Sequence, residues 1–230
     1  MIAVLVLDSA DPDYFVPHVD LTKVAEYTAE AAKAGGPEDA SLGMLWRKLS
    51  DVPVVTIAKL RGRARGAGSE LALACDMRFA ARENAVLGQP EVGFGAPPGA
   101  GGVQHLARLL GRGRAMEALL GAADFNADEA ERYGWINRAV PDAELDEFVD
   151  AIARRIASFD RSAIAAAKHL INQISLPSAD RLLDAITSFE TALTWPEAQR
   201  RIQVLLQRGL QRDDDFEKQW PAVLGTLLES

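Results

Sequence analysis

Between Arg61 and Gly102 the chain gathers glycine into tight clusters and leaves short apolar runs around them. Val52-Pro-Val-Val-Thr-Ile57 reads as a buried strand, with Pro53 near its start, where a missing N–H is tolerated. Gly62-Arg-Ala-Arg-Gly66-Ala-Gly68-Ser comes next, and then an apolar helical stretch, Glu70-Leu-Ala-Leu-Ala-Cys-Asp76. A strand, a glycine turn and a helix in that order place the chain among α/β folds. Glycine after a strand lets backbone N–H groups face a ligand, and the helix N-terminus adds partial positive charge. A phosphate loop would end in Gly-Lys-Ser/Thr, whereas this one ends Gly68-Ser69-Glu70. The dinucleotide fingerprint fails too, because the order is Gly-x-x-x-Gly-x-Gly and Glu70 would repel phosphate. A plain tight turn without a site is the other reading.

The flanking sequence extends the pattern. Ile2 to Leu7 is a continuous aliphatic run and reads as a strand buried on both faces. It opens the chain without a basic n-region, so no signal peptide is expected. Asp13 to Leu21 reads as a loop, since Pro17 forbids a regular helix. Helical pattern runs from about Leu21 to Ala34 and from about Ala40 to Leu49. Short strands are expected at Met77–Ala80, Ala85–Leu87 and Trp135–Val140, and short helices at 102–110, 113–120 and 127–133. Asp142 is placed to cap a helix whose Leu145, Phe148, Val149, Ile152 and Ile156 share one face. Helices at 161–174, 178–193 and 196–211 follow. Strands thus end near residue 140. The division expected is a core over 1–141 and a helical subdomain over 142–230.

Composition narrows the function. The 230 residues are enough to bury a sizeable core, and a net charge of −8 argues against a general nucleic-acid binder. No stretch is long enough for a membrane span. The single cysteine, Cys75, cannot form an intramolecular disulfide and fits a reducing, cytoplasmic setting. Three scattered histidines, His18, His105 and His169, suggest no metal site.

Two carboxylates carry the chemistry. Glu70 stands at the start of an apolar helix, and Glu91 follows Pro90 and precedes Val92-Gly-Phe-Gly. Burial in such settings raises a carboxylate pKa towards neutrality, as proton transfer requires. Acidic residues also favour a first helical turn for dipole reasons alone. Two glutamates in glycine-flanked apolar segments point to paired acid/base work.

The run Gly66-Ala-Gly-Ser-Glu-Leu-Ala-Leu-Ala-Cys-Asp76, then Gly88-Gln-Pro-Glu91, then Pro98-Gly-Ala-Gly-Gly102 resembles the enoyl-CoA hydratase/isomerase (crotonase) superfamily. The resemblance implies a spiral of ββα turns with a helical tail that drives trimer formation, so a homotrimer or homohexamer is expected. It also implies a spiral short of its first hairpin and helix. The implied substrates are acyl-CoA thioesters, with CoA as part of the substrate and no other cofactor. By the same resemblance Glu70 and Glu91 are the catalytic pair. The N–H groups of Val19 and Ala67 form the oxyanion hole, and Phe15, Pro17, His18 and Gly66 lie along the substrate. Where the family has Ala-Gly-Ala-Asp this chain has Pro17-His-Val-Asp20, a stiffer and bulkier loop. Ala67 stands where positive φ would be costly for a residue with a Cβ.

The reaction expected is addition of water to a 2-enoyl-CoA. Isomerisation of a Δ3-enoyl-CoA with one glutamate idle, and a non-catalytic CoA-binding or structural subunit, are the alternatives. Arg61, Arg63 and Arg65 are read as exposed loop arginines, with CoA phosphates as their other possible partners. Trp195 and Trp220 are read as core or subunit interface, and Arg200-Arg201 as a solvated helix face.

Overall fold

The computed structural model describes residues 2–35 and 41–229. Strands β1 (Val4–Leu7), β2 (Tyr14–Val16), β3 (Val55–Leu60), β4 (Arg63–Arg65), β5 (Met77–Ala81), β6 (Val86–Gly88), β7 (Asp124–Asn126) and β8 (Arg138–Val140) form two sheets of four. One has the order β1-β3-β5-β8 and is parallel throughout. The other has the order β2-β4-β6-β7, parallel until β7 joins antiparallel. From β1 to β6 the chain alternates between the sheets, so each pass adds a strand to both. Helices α1 (Val24–Gly35), α2 (Leu42–Asp51) and α3 (Ala67–Ala74) fill the crossovers.

β3 explains why the core sits here. Its Val-Thr-Ile-Ala-Lys-Leu is buried at every position but Lys59, as a strand covered on both faces must be. Lys59 keeps its charge paired, 2.6 Å from Asp8 and 2.5 Å from Asp146. β1 differs from the expectation. All four of its residues are only half-buried, because it is the edge strand of its sheet.

Other differences have local causes. Part of the stretch read as loop is strand β2, which pairs Tyr14 with Arg63 and Val16 with Ala64. Three residues are too few for a period-2 signal. β4 hides inside the glycine turn and β7 in a polar stretch for the same reason. The strand expected at 52–57 is shifted to Val55–Leu60, so Pro53 precedes it. Trp135 precedes β8 instead of belonging to it, and is fully buried with its indole N–H donating to Ser69 Oγ at 3.2 Å. The helix read from Glu70 starts at Ala67. The expected helix from Leu21 begins at Val24, and Ala40 lies outside the described residues.

Helices α4 (Glu91–Phe94), α5 (Gly102–Leu110), α6 (Arg112–Gly121) and α7 (Ala127–Tyr133) complete the part up to β8. In α8 (Asp142–Ala157) the expected apolar face packs on the parallel sheet, with Leu145 and Val149 almost fully buried beside Ile57 and Phe79. Each such side chain contributes about 1.5–3 kcal/mol. Asp142 does not cap α8. Pro141 holds that position, and Asp142 instead accepts from Arg61 Nε at 2.6 Å.

α9 (Arg161–Ser175), α10 (Ala179–Leu193) and α11 (Pro196–Arg208) follow the expected pattern. α12 (Asp214–Gln219) and a 3-10 helix (Trp220–Thr226) are additional. This last segment returns to the second sheet. Tyr14 donates to Asp214 at 2.7 Å, and Lys218 pairs with Asp13 at 2.8 Å.

Candidate active site

Gly66 is the hinge of the site. It follows β4, has φ +49°, and caps α3 by accepting from the Glu70 N–H at 2.9 Å. The positive φ thus falls on glycine, and Ala67 takes the first helical position without it. Gly68 allows a second close approach. A Cβ there would stand 1.9 Å from the Val16 carbonyl oxygen. The start of α3 can therefore lie directly against the end of β2, which brings Ala67 next to the loop carrying Val19.

Val19, Ala67, Glu70 and Glu91 line one cavity of about 60 Å³, room for a few ordered waters. Neither the Val19 nor the Ala67 N–H donates to another described residue. Pro90, Phe94, Ile186, Phe189 and Trp220 add apolar wall.

Glu70 is 3% exposed, and its Oε1 accepts from the N–H groups of Ala100 and Gly102, both at 2.8 Å. Burial raises its pKa and the two N–H bonds lower it. Burial wins, and the carboxyl is pushed up to about 7. Glu91 is raised well above the ordinary value, first by burial and then by the charge of Glu70. Gln89, fully buried, donates to Glu91 Oε2 at 3.2 Å. The two N–H donors favour the charged form of Glu70, and that charge favours the neutral form of Glu91. The pair can therefore hold one base and one acid near neutral pH.

The remaining expected residues divide. His18 lines the cavity. Phe15 is buried in the core between the sheets, Pro17 faces an outer groove with Tyr14 and Asp214, and Gly66 lies under Glu91 Oε1. The arginines are not free loop residues. Arg65 is fully buried, donating to Asp124 at 2.8 and 2.6 Å and to the carbonyls of Glu217 and Lys218 at 2.7 and 2.8 Å. Arg61 pairs with Asp142 and Asp146, and Arg63 donates to the Lys218 carbonyl. Arg201 is not simply a solvated residue either, since it reaches the carbonyls of Gly93 and Leu224. Trp195 is half-exposed, whereas Trp220 is buried and lines the cavity. Sequence reading missed Trp220 and Phe189 there, because both lie more than a hundred residues from Glu70 on helices without a site motif. It flagged Pro98–Gly102 as a motif without finding its task, which is to supply N–H groups to Glu70. Among the described residues no cluster of His, Cys, Asp or Glu could hold a metal ion, and no helix is long and apolar enough to cross a membrane.

Comparison with known proteins identifies the family. Residues 1–211 match the sequence model of the enoyl-CoA hydratase/isomerase family. The short-chain-enoyl-CoA hydratase of Clostridium acetobutylicum is 38% identical over 171 residues, 74% of this chain and 63% of that protein. The crotonyl-CoA hydratase of Syntrophomonas wolfei is 37% identical over 183 residues, 79% of this chain and 68% of that one. The chain thus spans slightly less than two thirds of the first relative and slightly more of the second. A crystal structure from Streptomyces avermitilis, provisionally designated an enoyl-CoA hydratase, superposes with a TM-score of 0.94. It is 64% identical, and the match covers 96% of this chain and 80% of that one. Fold, motif order and sequence agree, and the chain belongs to the enoyl-CoA hydratase/isomerase family.

Proposed function

We propose that the protein adds water across the double bond of a short 2-enoyl-CoA. The observation that carries this reading is that one small cavity is lined by two buried carboxyls and by two residues, Val19 and Ala67, whose backbone N–H groups have no partner among the described residues. The thioester oxygen accepts from the Val19 and Ala67 N–H groups. Water sits between Glu70 and Glu91. Its oxygen bonds to C3 as Glu70 takes one of its protons. The π electrons pass through C2 to the thioester oxygen, whose negative charge the two N–H groups hold. Glu91 then gives its proton to C2 and the oxygen charge returns to the carbonyl. Proton exchange with solvent resets Glu70 as base and Glu91 as acid. One oxyanion donor of this kind is worth roughly 2.7–4 kcal/mol in the transition state.

Both glutamates being buried in the same cavity favours hydration over isomerisation, which needs one base. The narrow wall of Phe94, Phe189 and Trp220 favours a short acyl group. The related short-chain and crotonyl-CoA hydratases support the same class. No cofactor beyond the CoA of the substrate enters the reaction. The same reading takes 142–230 as the subdomain that assembles a homotrimer or homohexamer, and the cytoplasm as its setting.

Incubation with crotonyl-CoA in deuterium oxide tests the reaction. Proton NMR is expected to show 3-hydroxybutyryl-CoA carrying one deuterium at C2. Deuterium exchange or double-bond movement without hydroxyl addition would point to isomerisation, and unchanged crotonyl-CoA would defeat the proposal.

A further inference from the structure

The loop after β2 is held by the C-terminal segment through one side chain. His18 Nε2 lies 2.8 Å from Oε1 of Glu217, and each side chain is only 10% exposed. The other ring nitrogen, Nδ1, lies 2.5 Å from the carbonyl oxygen of Val19. A carbonyl only accepts, so Nδ1 carries a hydrogen. Nε2 faces a carboxyl group, and one proton must lie between them. Burial would raise the Glu217 pKa, but the bond and charge of His18 and the Gln211 N–H outweigh it and hold the carboxyl below its usual range. Nε2 and Glu217 Oε1 thus share one hydrogen bond, which fixes the ring from that side while Nδ1 bonds the Val19 carbonyl.

The Nδ1 bond closes a ring of atoms. It runs from the imidazole through the His18–Val19 peptide to the Val19 carbonyl, and the Val19 N–H lies within it. Closure restrains the torsions on either side of that nitrogen. Glu217 is fixed in turn. Its carbonyl accepts from Arg65 Nη1 at 2.7 Å, and its Oε2 accepts from the Gln211 N–H at 3.0 Å. Gln211 also grips the loop, accepting from the Leu21 N–H at 2.9 Å and donating to Asp20 at 2.6 Å. Trp220 packs edge-on against the His18 ring, with centroids 5.9 Å apart. Arg65 immediately precedes Gly66 and Ala67. One residue of the C-terminal segment, Glu217, is thus tied to both turns of the proposed oxyanion hole, by His18 to Val19 and by Arg65 to Ala67.

We infer that His18 is a positioning residue: its Nδ1–H sets the direction of the Val19 N–H, and Glu217 sets the direction of His18. This rests on the reading of Val19 as an oxyanion donor. A structural tether would need only the Glu217 bond, whereas positioning needs the Val19 bond.

Two substitutions separate the bonds. His18→Asn puts an amide N–H where Nδ1 stands but cannot reach Glu217. His18→Gln reaches Glu217 but leaves the Val19 carbonyl. Butyryl-CoA, a saturated thioester that cannot be hydrated, reports the hole directly through its infrared carbonyl stretch. In wild type that stretch is expected to shift to lower frequency on binding, and in His18→Asn to keep most of the shift. In His18→Gln most of it is expected to vanish, with crotonyl-CoA kcat falling about 100-fold and KM changing little. Glu217→Gln, which keeps an acceptor for Nε2, should fall between them. Equal carbonyl shifts in both His18 variants overturn the inference. So does a reversed ranking, or a rate loss that only follows a lower melting temperature. Wild type that shifts the carbonyl but does not hydrate crotonyl-CoA sinks the hydratase reading, while the infrared ranking still decides the role of His18. Failure of wild type to bind butyryl-CoA overturns both.

Discussion

A Cβ added to Gly66 would stand 2.5 Å from Oε1 of Glu91. The turn that presents the Ala67 N–H and the carboxyl proposed to protonate C2 therefore occupy adjoining space. Gly66→Ala meets two penalties, the φ of +49° and the contact with Glu91. With ψ at −120° this backbone lies outside the left-handed helical region as well, and a sparsely populated conformation of this kind costs on the order of 1–3 kcal/mol for a residue with a Cβ. The expected result is a kcat loss of about 100-fold or more through a displaced donor, measured by crotonyl-CoA kinetics beside a melting curve. An alanine variant with wild-type kcat would contradict the geometry assigned to the turn.

The Glu70 carboxyl gives a pH signature. Its folded pKa of about 7 lies above the ordinary value of 4.5. Between these values the folded state binds more protons than the unfolded state, so this group makes stability fall as pH rises through the window. Glu91 acts in the same direction. His105, lowered to about 4 by burial and by Arg78 and Arg108, acts oppositely, so the informative quantity is a difference between proteins. Urea midpoints measured across the window should fall less steeply in Glu70→Gln than in wild type. Parallel curves would mean that Glu70 does not carry the raised pKa. The same ionisation should give kcat an acid limb near pH 7, since the base must be charged.

Arg65 ties the C-terminal segment to the glycine turn at Gly66. Arg65→Met leaves Asp124 and the carbonyls of residues 217 and 218 without this donor. Removing one partner of a buried pair costs about 3–5 kcal/mol, with the lower end expected because Asp124 is 32% exposed. A fall of roughly 6–12 °C in melting temperature should follow. Hydrogen exchange should quicken selectively in the amides of 213–220. Unchanged protection there would show that the segment is held by other contacts.

How much of this was legible in the sequence depended on where the signal lay. Glu70, Glu91 and the glycine turn sit within thirty residues, and glycine spacing marks backbone placed near a ligand. The apolar period of α8 likewise declared its buried face. Strands of three residues, β2, β4 and β7, carry no period and form only by pairing with partners far along the chain. Arg65 looked exposed because alternating arginines in a turn give no hint that Asp124 and two carbonyls will enclose one of them. Trp220 and Glu217 reach the site through the return of the C-terminal segment, a long-range contact that local pattern does not encode.

Trp220 lines the cavity proposed to take the acyl chain. Trp220→Ala is expected to cost about 3–5 kcal/mol of stability through lost packing. In the fraction that remains folded, kcat/KM should rise for 2-octenoyl-CoA relative to crotonyl-CoA. An unchanged ratio would place the acyl chain away from this wall.

The central claim is that Glu70 and Glu91 move the protons. The decay of enoyl-thioester ultraviolet absorbance with crotonyl-CoA measures it most directly, in wild type and in the Glu70→Gln, Glu91→Gln double variant. General acid–base groups typically contribute about 10²–10⁴-fold each, so wild type should consume the absorbance and the folded double variant should leave it essentially intact. Equal decay in the two proteins would contradict the assignment.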